Sequence, residues 1–251
     1  ELEFTKPQLK QIAYHLNDHR ENLETQDDLY ERYDKIDPRY FDVAKKYMEI
    51  MPLTNRIDFS GLLSETHKLI STHPEVLDAL HHRWTHFQVD EVQDTNLAQF
   101  KIIEIIASKT KNIFVVGDLD QSIYGWRGAR AENIEDFQKT FPGTKIISLG
   151  KNYRSTPQIV KVADKLIRHN DDRIAAPFET DNPSGPPVSC KSFADDREEA
   201  VSVARMIRQL AVSGHYRYSD MAVFYRVNSM SRAIEMALIQ QAIPHTVIGS
   251  F

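Results

Sequence analysis

Apolar residues recur along this chain with two different periods, and the change of period divides it. Up to about residue 82 the spacing is helical. Leu9, Ile12, Ala13 and Leu16 follow Pro7, which can occupy a first turn. An acidic, polar connector runs from Glu21 to Asp28. Tyr40, Val43, Ala44, Tyr47, Met48 and Met51 then repeat the stripe until Pro52 stops it. Asp58 begins a further helix carrying Leu62, Leu63, Leu69 and Ile70, and Pro74 opens a short one. These aromatic and methionine stripes read as core, and no tandem repeat or low-complexity tract interrupts them.

From Phe87 the pattern alternates strand with helix. Phe87 and Val89 flank Gln88 as in a strand with one buried face, and Leu97, Phe100, Ile103 and Ile106 return to helical spacing. Residues 113–116 and 145–149 are continuous apolar runs of the kind buried on both faces of a parallel sheet. A helix over 131–140 lies between them and ends at Pro142-Gly143. A later unit repeats the theme, with strands at 188–193, 221–225 and 245–248 and helices at 195–212 and 229–241. Turn chemistry makes 181–187 a loop or linker. The alternation predicts α/β architecture behind a helical segment.

Composition narrows the function classes. A chain of 251 residues suits one large domain or two smaller ones, and 41% hydrophobic with 27% charged residues describes a globular protein able to bury a core. No apolar run approaches the length of a membrane span and no signal peptide is present. Cys190 is alone, which excludes an internal disulfide and fits a reducing, cytoplasmic setting. Ten histidines are scattered without Cys or carboxylate at ligand spacing, which argues against zinc. A net charge of −5 and a pI near 6.1 exclude a uniformly basic nucleic-acid binder but not a local basic groove. The sequence starts at Glu1 without methionine and stops at Phe251 after a strand-like run, and so reads as an excerpt.

Three constellations carry chemistry, each at the end of an expected strand. In Val89-Asp90-Glu91-Val92-Gln93-Asp94-Thr95-Asn96, Asp90 suits magnesium, which takes oxygen ligands and keeps several waters, and Glu91 is placed to accept a proton from an attacking water. The same octet would serve as a solvated acidic turn in which Asp94, Thr95 or Asn96 caps the next helix. The second runs from Gly117 to Ala129. Its Gln121 can report on a terminal phosphate, and Tyr124, Trp126 and Arg127 suit stacking on exposed bases and pairing with phosphate. An aromatic loop can equally plug a core, although Gly125 and Gly128 weaken that alternative. The third is Asn152-Tyr153-Arg154-Ser155, in which Tyr153 could stack on a purine and Arg154 could stabilise charge on a transferring phosphoryl group.

In this order, Asp-Glu-Val-Gln-Asp-Thr-Asn, then Gly-Asp-x-Asp-Gln-Ser-Ile-Tyr-Gly-Trp-Arg-Gly-Ala, then Asn-Tyr-Arg-Ser, the series closely resembles the UvrD/Rep-type superfamily 1 DNA helicases. Residues 222–229, Ser231 to Glu235 and Ile243-Pro244 look like that family's second motor domain. The resemblance implies partial RecA-like parallel-sheet motor domains: 1–82 as part of accessory domain 1B, 83–143 as the C-terminal half of the first motor domain, and 144–251 as the N-terminal part of the second. It further implies ATP and Mg2+. Asp90 and Glu91 would sit at the metal, with Glu91 activating water and Gln121 sensing the γ-phosphate. Tyr153 would stack on adenine, and Arg154 would act as an arginine finger. Tyr124, Trp126 and Arg127 would grip single-stranded DNA. The implied partners are single-stranded DNA, single-strand/duplex junctions, and repair or replication proteins; the implied motion is 3′ to 5′, displacing the other strand.

Val92 stands where the family commonly has Phe or Tyr, and Ser60-Gly61 where it often has two aspartates. No Gly-x-x-x-x-Gly-Lys-Ser/Thr loop occurs, so the cradle and lysine for the β- and γ-phosphates are missing. The expectation is therefore the middle of a helicase, inactive by itself, with exposed sheet edges that favour self-association. A helicase fused to a recombination nuclease, and a non-catalytic DNA-binding remnant, are the competing functional readings.

Overall fold

A computed structural model describes residues 3–170 and 179–248, which fall into two compact units, 1–182 and 183–251. The described residues are mostly helical, with one small parallel sheet.

The first unit opens with five helices: α1 (Lys6–Glu21), α2 (Gln26–Asp34), α3 (Arg39–Leu53), α4 (Phe59–Thr72) and α5 (Pro74–Arg83). Local chemistry sets their starts. Pro7 lies in the first turn of α1, Asp58 caps α4 by accepting from the Gly61 amide at 2.7 Å, and Pro74 is the first residue of α5. Ile12, Leu16, Leu29, Tyr33, Tyr40 and Ala44 form the core of α1–α3, with the Tyr33 hydroxyl donating to the Ile12 carbonyl at 2.7 Å. The acidic stretch expected to be a connector, Glu21 to Asp28, already holds the first turn of α2. There Thr25 and Asp28 satisfy each other's backbone amides in a capping box, and Leu29 and Tyr33 one turn apart fill the core.

Two strands follow, β1 (Phe87–Val89) and β2 (Ile113–Val115), paired in parallel with Phe87 opposite Ile113 and Val89 opposite Val115. Between them runs α6 (Leu97–Ala107), and after them α7 (Asn133–Thr140). Phe100, Ala107, Phe137 and Phe141 pack with Phe87, Ile113 and Val115 on one face of the sheet. On the other face Phe114 is exposed, so β2 is covered on one side only and not on both. The unit ends with α8 (Pro157–Ile167).

The second unit pairs α9 (Asp196–Val212) with α10 (Ser231–Gln240) around Ala200, Ala204, Ala237, Leu238 and Ile243.

The strands expected at 145–149, 188–193, 221–225 and 245–248 do not form among the described residues. An apolar run becomes a strand only when a neighbouring strand pairs with it, and among the described residues these runs pair with no strand: Leu149 is 85% and Phe224 94% exposed. Near the first of them a single parallel bridge joins Lys151 to Glu179. Among the described residues no helix is long and apolar enough to cross a membrane.

Candidate functional site

Parallel pairing brings the carboxyl ends of β1 and β2 to the same edge. Beyond the strands the two segments stay joined, since the Val116 amide donates to Val89 O at 2.8 Å and the Val92 amide to Val116 O at 3.1 Å. Asp90 and Glu91 therefore emerge beside Gly117 and Asp118.

Glu91 adopts left-handed backbone angles, φ 51° and ψ 45°. Among the described residues the other non-glycine positions with positive φ, Leu23, Asn55, Lys111 and Ala242, each follow a helix end, where such a turn is routine; Glu91 follows a strand. A side chain held there costs about 1–3 kcal/mol and persists only when its surroundings enforce it. Here the Glu91 amide donates to Asp90 Oδ1 at 3.0 Å, the Asp94 amide donates to Glu91 O at 2.9 Å, and Gln93 Nε2 donates to Glu91 Oε2 at 2.7 Å.

Gln93 is 1% exposed and joins the two strand ends. Its Oε1 accepts the Asp118 amide at 3.0 Å, and a Cβ on Gly117 would stand only 2.6 Å from that oxygen and 2.8 Å from Val92 Cγ1. Glycine is what lets the second strand approach this closely. Asp118 caps the short 3₁₀ turn 119–121 and accepts from Gln121 Nε2 at 2.6 Å. Sequence reasoning placed Asp90, Glu91 and Gln121 here but assigned no role to Gln93; the signal was a polar residue inside the quoted motif.

The acidic turn and the helix cap turn out to be separate functions of one octet. Asn96 caps α6, accepting from the Gln99 amide at 2.9 Å, while its own amide donates to Gln99 Oε1 at 3.0 Å. Asp90 and Glu91 are left exposed and are not used as caps. Among the described residues no three His, Cys, Asp or Glu side chains converge as a metal cage. Oxygen donors of this kind fit magnesium that draws its remaining ligands from water and nucleotide phosphate.

The aromatic loop follows directly. Arg127 lies 4.6 Å from the Trp126 ring centroid and 5.2 Å from that of Tyr124. Trp126 is 56% exposed, so the loop is not a core plug. Gly128, at φ 78°, closes its 3₁₀ turn. On the far side the chain is fastened back to the acidic octet: the Arg130 amide donates to Thr95 O at 3.0 Å, and buried Asn133 Nδ2 donates to Thr95 O at 2.8 Å and Oγ1 at 3.0 Å.

Tyr153 and Arg154 occupy a separate turn, in which Asn152 Oδ1 accepts the amides of Arg154 and Ser155 at 2.9 and 2.7 Å. Tyr153 is exposed, with Lys151 Nζ 5.4 Å from its ring centroid. The Arg154 guanidinium pairs with no carboxylate among the described residues, and no hydrogen bond joins this turn to Glu91 or Gln121.

Comparison with known proteins agrees with the motif order. Residues 2–142 match the UvrD/REP helicase N-terminal domain, and residues 147–251 the UvrD-like helicase C-terminal domain. The chain is 38% identical over 240 residues to a DNA helicase II of Haemophilus influenzae, covering 96% of this chain and 33% of that protein. It is 38% identical over 208 residues to an ATP-dependent DNA helicase PcrA of Leuconostoc citreum, and 39% identical over 207 residues to one of Staphylococcus epidermidis; these cover 83% and 82% of this chain and 28% of each relative. The chain thus spans about a third of the length of the curated relatives it matches. With its N-terminal family match extending over more than half of its residues, the chain belongs to the UvrD/REP helicase family.

Proposed function

We propose that this chain is part of an ATP-dependent DNA helicase that couples ATP hydrolysis to 3′-to-5′ movement on single-stranded DNA and to duplex unwinding. The observation that carries the reading is the Gln93 bridge, because it joins the acidic strand end to the loop that leads into Tyr124, Trp126 and Arg127. Chemistry on nucleotide and contact with bases would then be one hydrogen-bonded assembly.

Within it, Asp90 holds magnesium and Glu91 takes the proton of the attacking water, its carboxylate aimed by Gln93. The metal, bound together with the nucleotide's phosphates, supplies charge neutralisation. Gln121, tethered to Asp118, presents its amide toward the terminal phosphate. Tyr153 stacks on adenine and Arg154 supplies positive charge to the transferring phosphoryl group. Tyr124, Trp126 and Arg127 hold single-stranded DNA by stacking and phosphate pairing. The break between the two family matches, at residues 142 and 147, supports a division near 143 into first and second motor portions; on the same reading 1–82 belongs to an accessory helical domain. A cytoplasmic setting, and partners among single-strand/duplex junctions and repair or replication proteins, follow from the same reading.

The test is Glu91→Gln in the full-length parent. The amide keeps the shape and its contact with Gln93 but takes no proton, so nucleotide binding should persist while steady-state hydrolysis falls by at least about two orders of magnitude. Hydrolysis within a few-fold of wild type would sink the assignment.

A further inference from the structure

The last turn of α1 faces two ways. Arg20 Nη1 donates to both carboxylate oxygens of Asp58 at 2.7 Å, and Ser60 Oγ donates to Asn17 Oδ1 at 2.8 Å, so this end of the helix is fastened to the start of α4. The neighbouring Glu21 points instead toward the aromatic loop. Its Oε2 lies 3.0 Å from where a Cβ on Gly128 would stand, and the Asn96 Cβ lies 3.9 Å from the same point. The Glu21 carboxylate is half-buried there. Burial pushes that carboxyl above the usual range, the polar Asn96 side chain opposing the shift.

Gly128 is where the loop most needs support. Its φ of 78° reverses the chain after Trp126 and Arg127, and its amide closes the turn onto Gly125 O at 3.0 Å. Gly125 itself has open space on its side-chain face. Entry to the loop is tied by Gln93 and exit by Thr95; the turn between them meets α1 through Glu21.

We infer that Glu21 is a positioning residue: its carboxylate buttresses Gly128 and so sets the orientation in which Tyr124, Trp126 and Arg127 meet single-stranded nucleic acid. The inference rests on reading that loop as the nucleic-acid contact. It gives the helical segment a defined role, since Arg20 and Glu21 make one rigid turn that links the start of α4 to the loop.

The experiment uses the full-length parent, with ATP hydrolysis titrated with oligo-dT and the melting temperature measured alongside. Glu21→Gln keeps reach and hydrogen bonding; Glu21→Asp keeps charge but withdraws the oxygens by one methylene; Glu21→Ala removes both. Asp and Ala should raise the half-saturating oligo-dT concentration by about fivefold or more, the lower end of losing one stacked base, with DNA-free hydrolysis unchanged and Gln close to wild type. Trp126→Ala is the control. If Trp126→Ala raises that concentration while Glu21→Ala and Glu21→Asp do not, the inference fails and the loop assignment stands. If Gln behaves like Ala while Asp behaves like wild type, charge and not contact is at work, and the buttress is wrong. If Trp126→Ala leaves DNA coupling intact, the loop assignment itself falls and the inference with it.

Discussion

Gln93→Ala isolates the bridge on which the site depends. Truncation removes a hydrogen bond to an ionised carboxylate, at 2.7 Å to Glu91, and one to the Asp118 backbone, at 3.0 Å. Bonds to charged groups contribute about 1.5–3 kcal/mol and neutral ones about 0.5–1.5 kcal/mol. Glu91 is exposed, so water replaces its lost partner and the first contribution belongs at the low end of its range. The loss should therefore be about 2–3 kcal/mol, which for a unit of this size lowers the melting temperature by about 4–12 °C. Both tryptophans, Trp84 and Trp126, lie in the first unit, so urea unfolding of the 251-residue chain followed by indole fluorescence reports on that unit alone. Gly117→Ala adds a second arm, because its Cβ would clash with Gln93 Oε1 at 2.6 Å. Part of its cost should vanish in the Gln93→Ala background, leaving the contact with Val92 Cγ1, so the two substitutions should be sub-additive. A Gln93→Ala loss under about 1 kcal/mol, or full additivity with Gly117→Ala, would refute the bridge as the element joining the strands.

Three further outcomes are expected. Burial alone would raise the Asp58 carboxyl, but the Tyr47 hydroxyl, the Gly61 amide and the Arg20 guanidinium hold it below its ordinary 3.8; its stabilisation is thus present above that value and lost as pH falls through the lower folded value, so wild type and Asp58→Asn should differ in urea midpoint at neutral pH and converge on acidification. Burial pushes the Tyr33 phenol up to about 12 from 10.0, so its contribution is present below 10.0 and lost as pH rises toward 12; Tyr33→Phe should cost about 0.5–1.5 kcal/mol at neutral pH and flatten the alkaline decline seen by circular dichroism. The 251-residue chain alone should hydrolyse no ATP above background with magnesium and single-stranded DNA, because it carries no lysine-bearing phosphate loop; turnover abolished by Glu91→Gln within this same chain would overturn that account.

Legibility in the sequence followed the range of the interaction. Helix starts were readable wherever the cap and the helix lie within a few residues, as at Asp58 and Pro74, and the Thr25–Asp28 box shows that even α2 was written locally, inside a stretch whose acidity suggested a connector. Strands were readable only as candidates. Residues 87–89 and 113–115 pair because α6 returns the chain beside itself, whereas 145–149 and 221–225 carry the same apolar signal and remain unpaired. Hydrophobicity states what a segment can bury, not whether a neighbour is there to receive it. Gln93 was unreadable for a third reason: its partners, Glu91 and Asp118, lie on two strand ends whose parallel register had to form first. Glu21 is the same case across a longer separation, since Gly128 and Asn96 both belong to segments far along the chain.

These long-range contacts also join into one hydrogen-bonded circuit. From Glu91 the hydrogen bonds run through Gln93 to Asp118, on through the 3₁₀ turn to Gln121, and return from Arg130 and Asn133 to Thr95, four residues from where they began. The aromatic loop is the exposed arc of that circuit. Gln93 is buried, and Gly117 leaves no room beside it for a side chain, so the link between the two strand ends is tightly packed. Close-packed interiors favour discrete rearrangement over gradual deformation, and a non-glycine residue held at φ 51° has strain to release when its hydrogen bonds change. Position in this circuit therefore separates Gln93 from both the carboxylates and the aromatics: it is the buried hydrogen-bonded link between the strand-end carboxylate and the turn that leads toward Trp126.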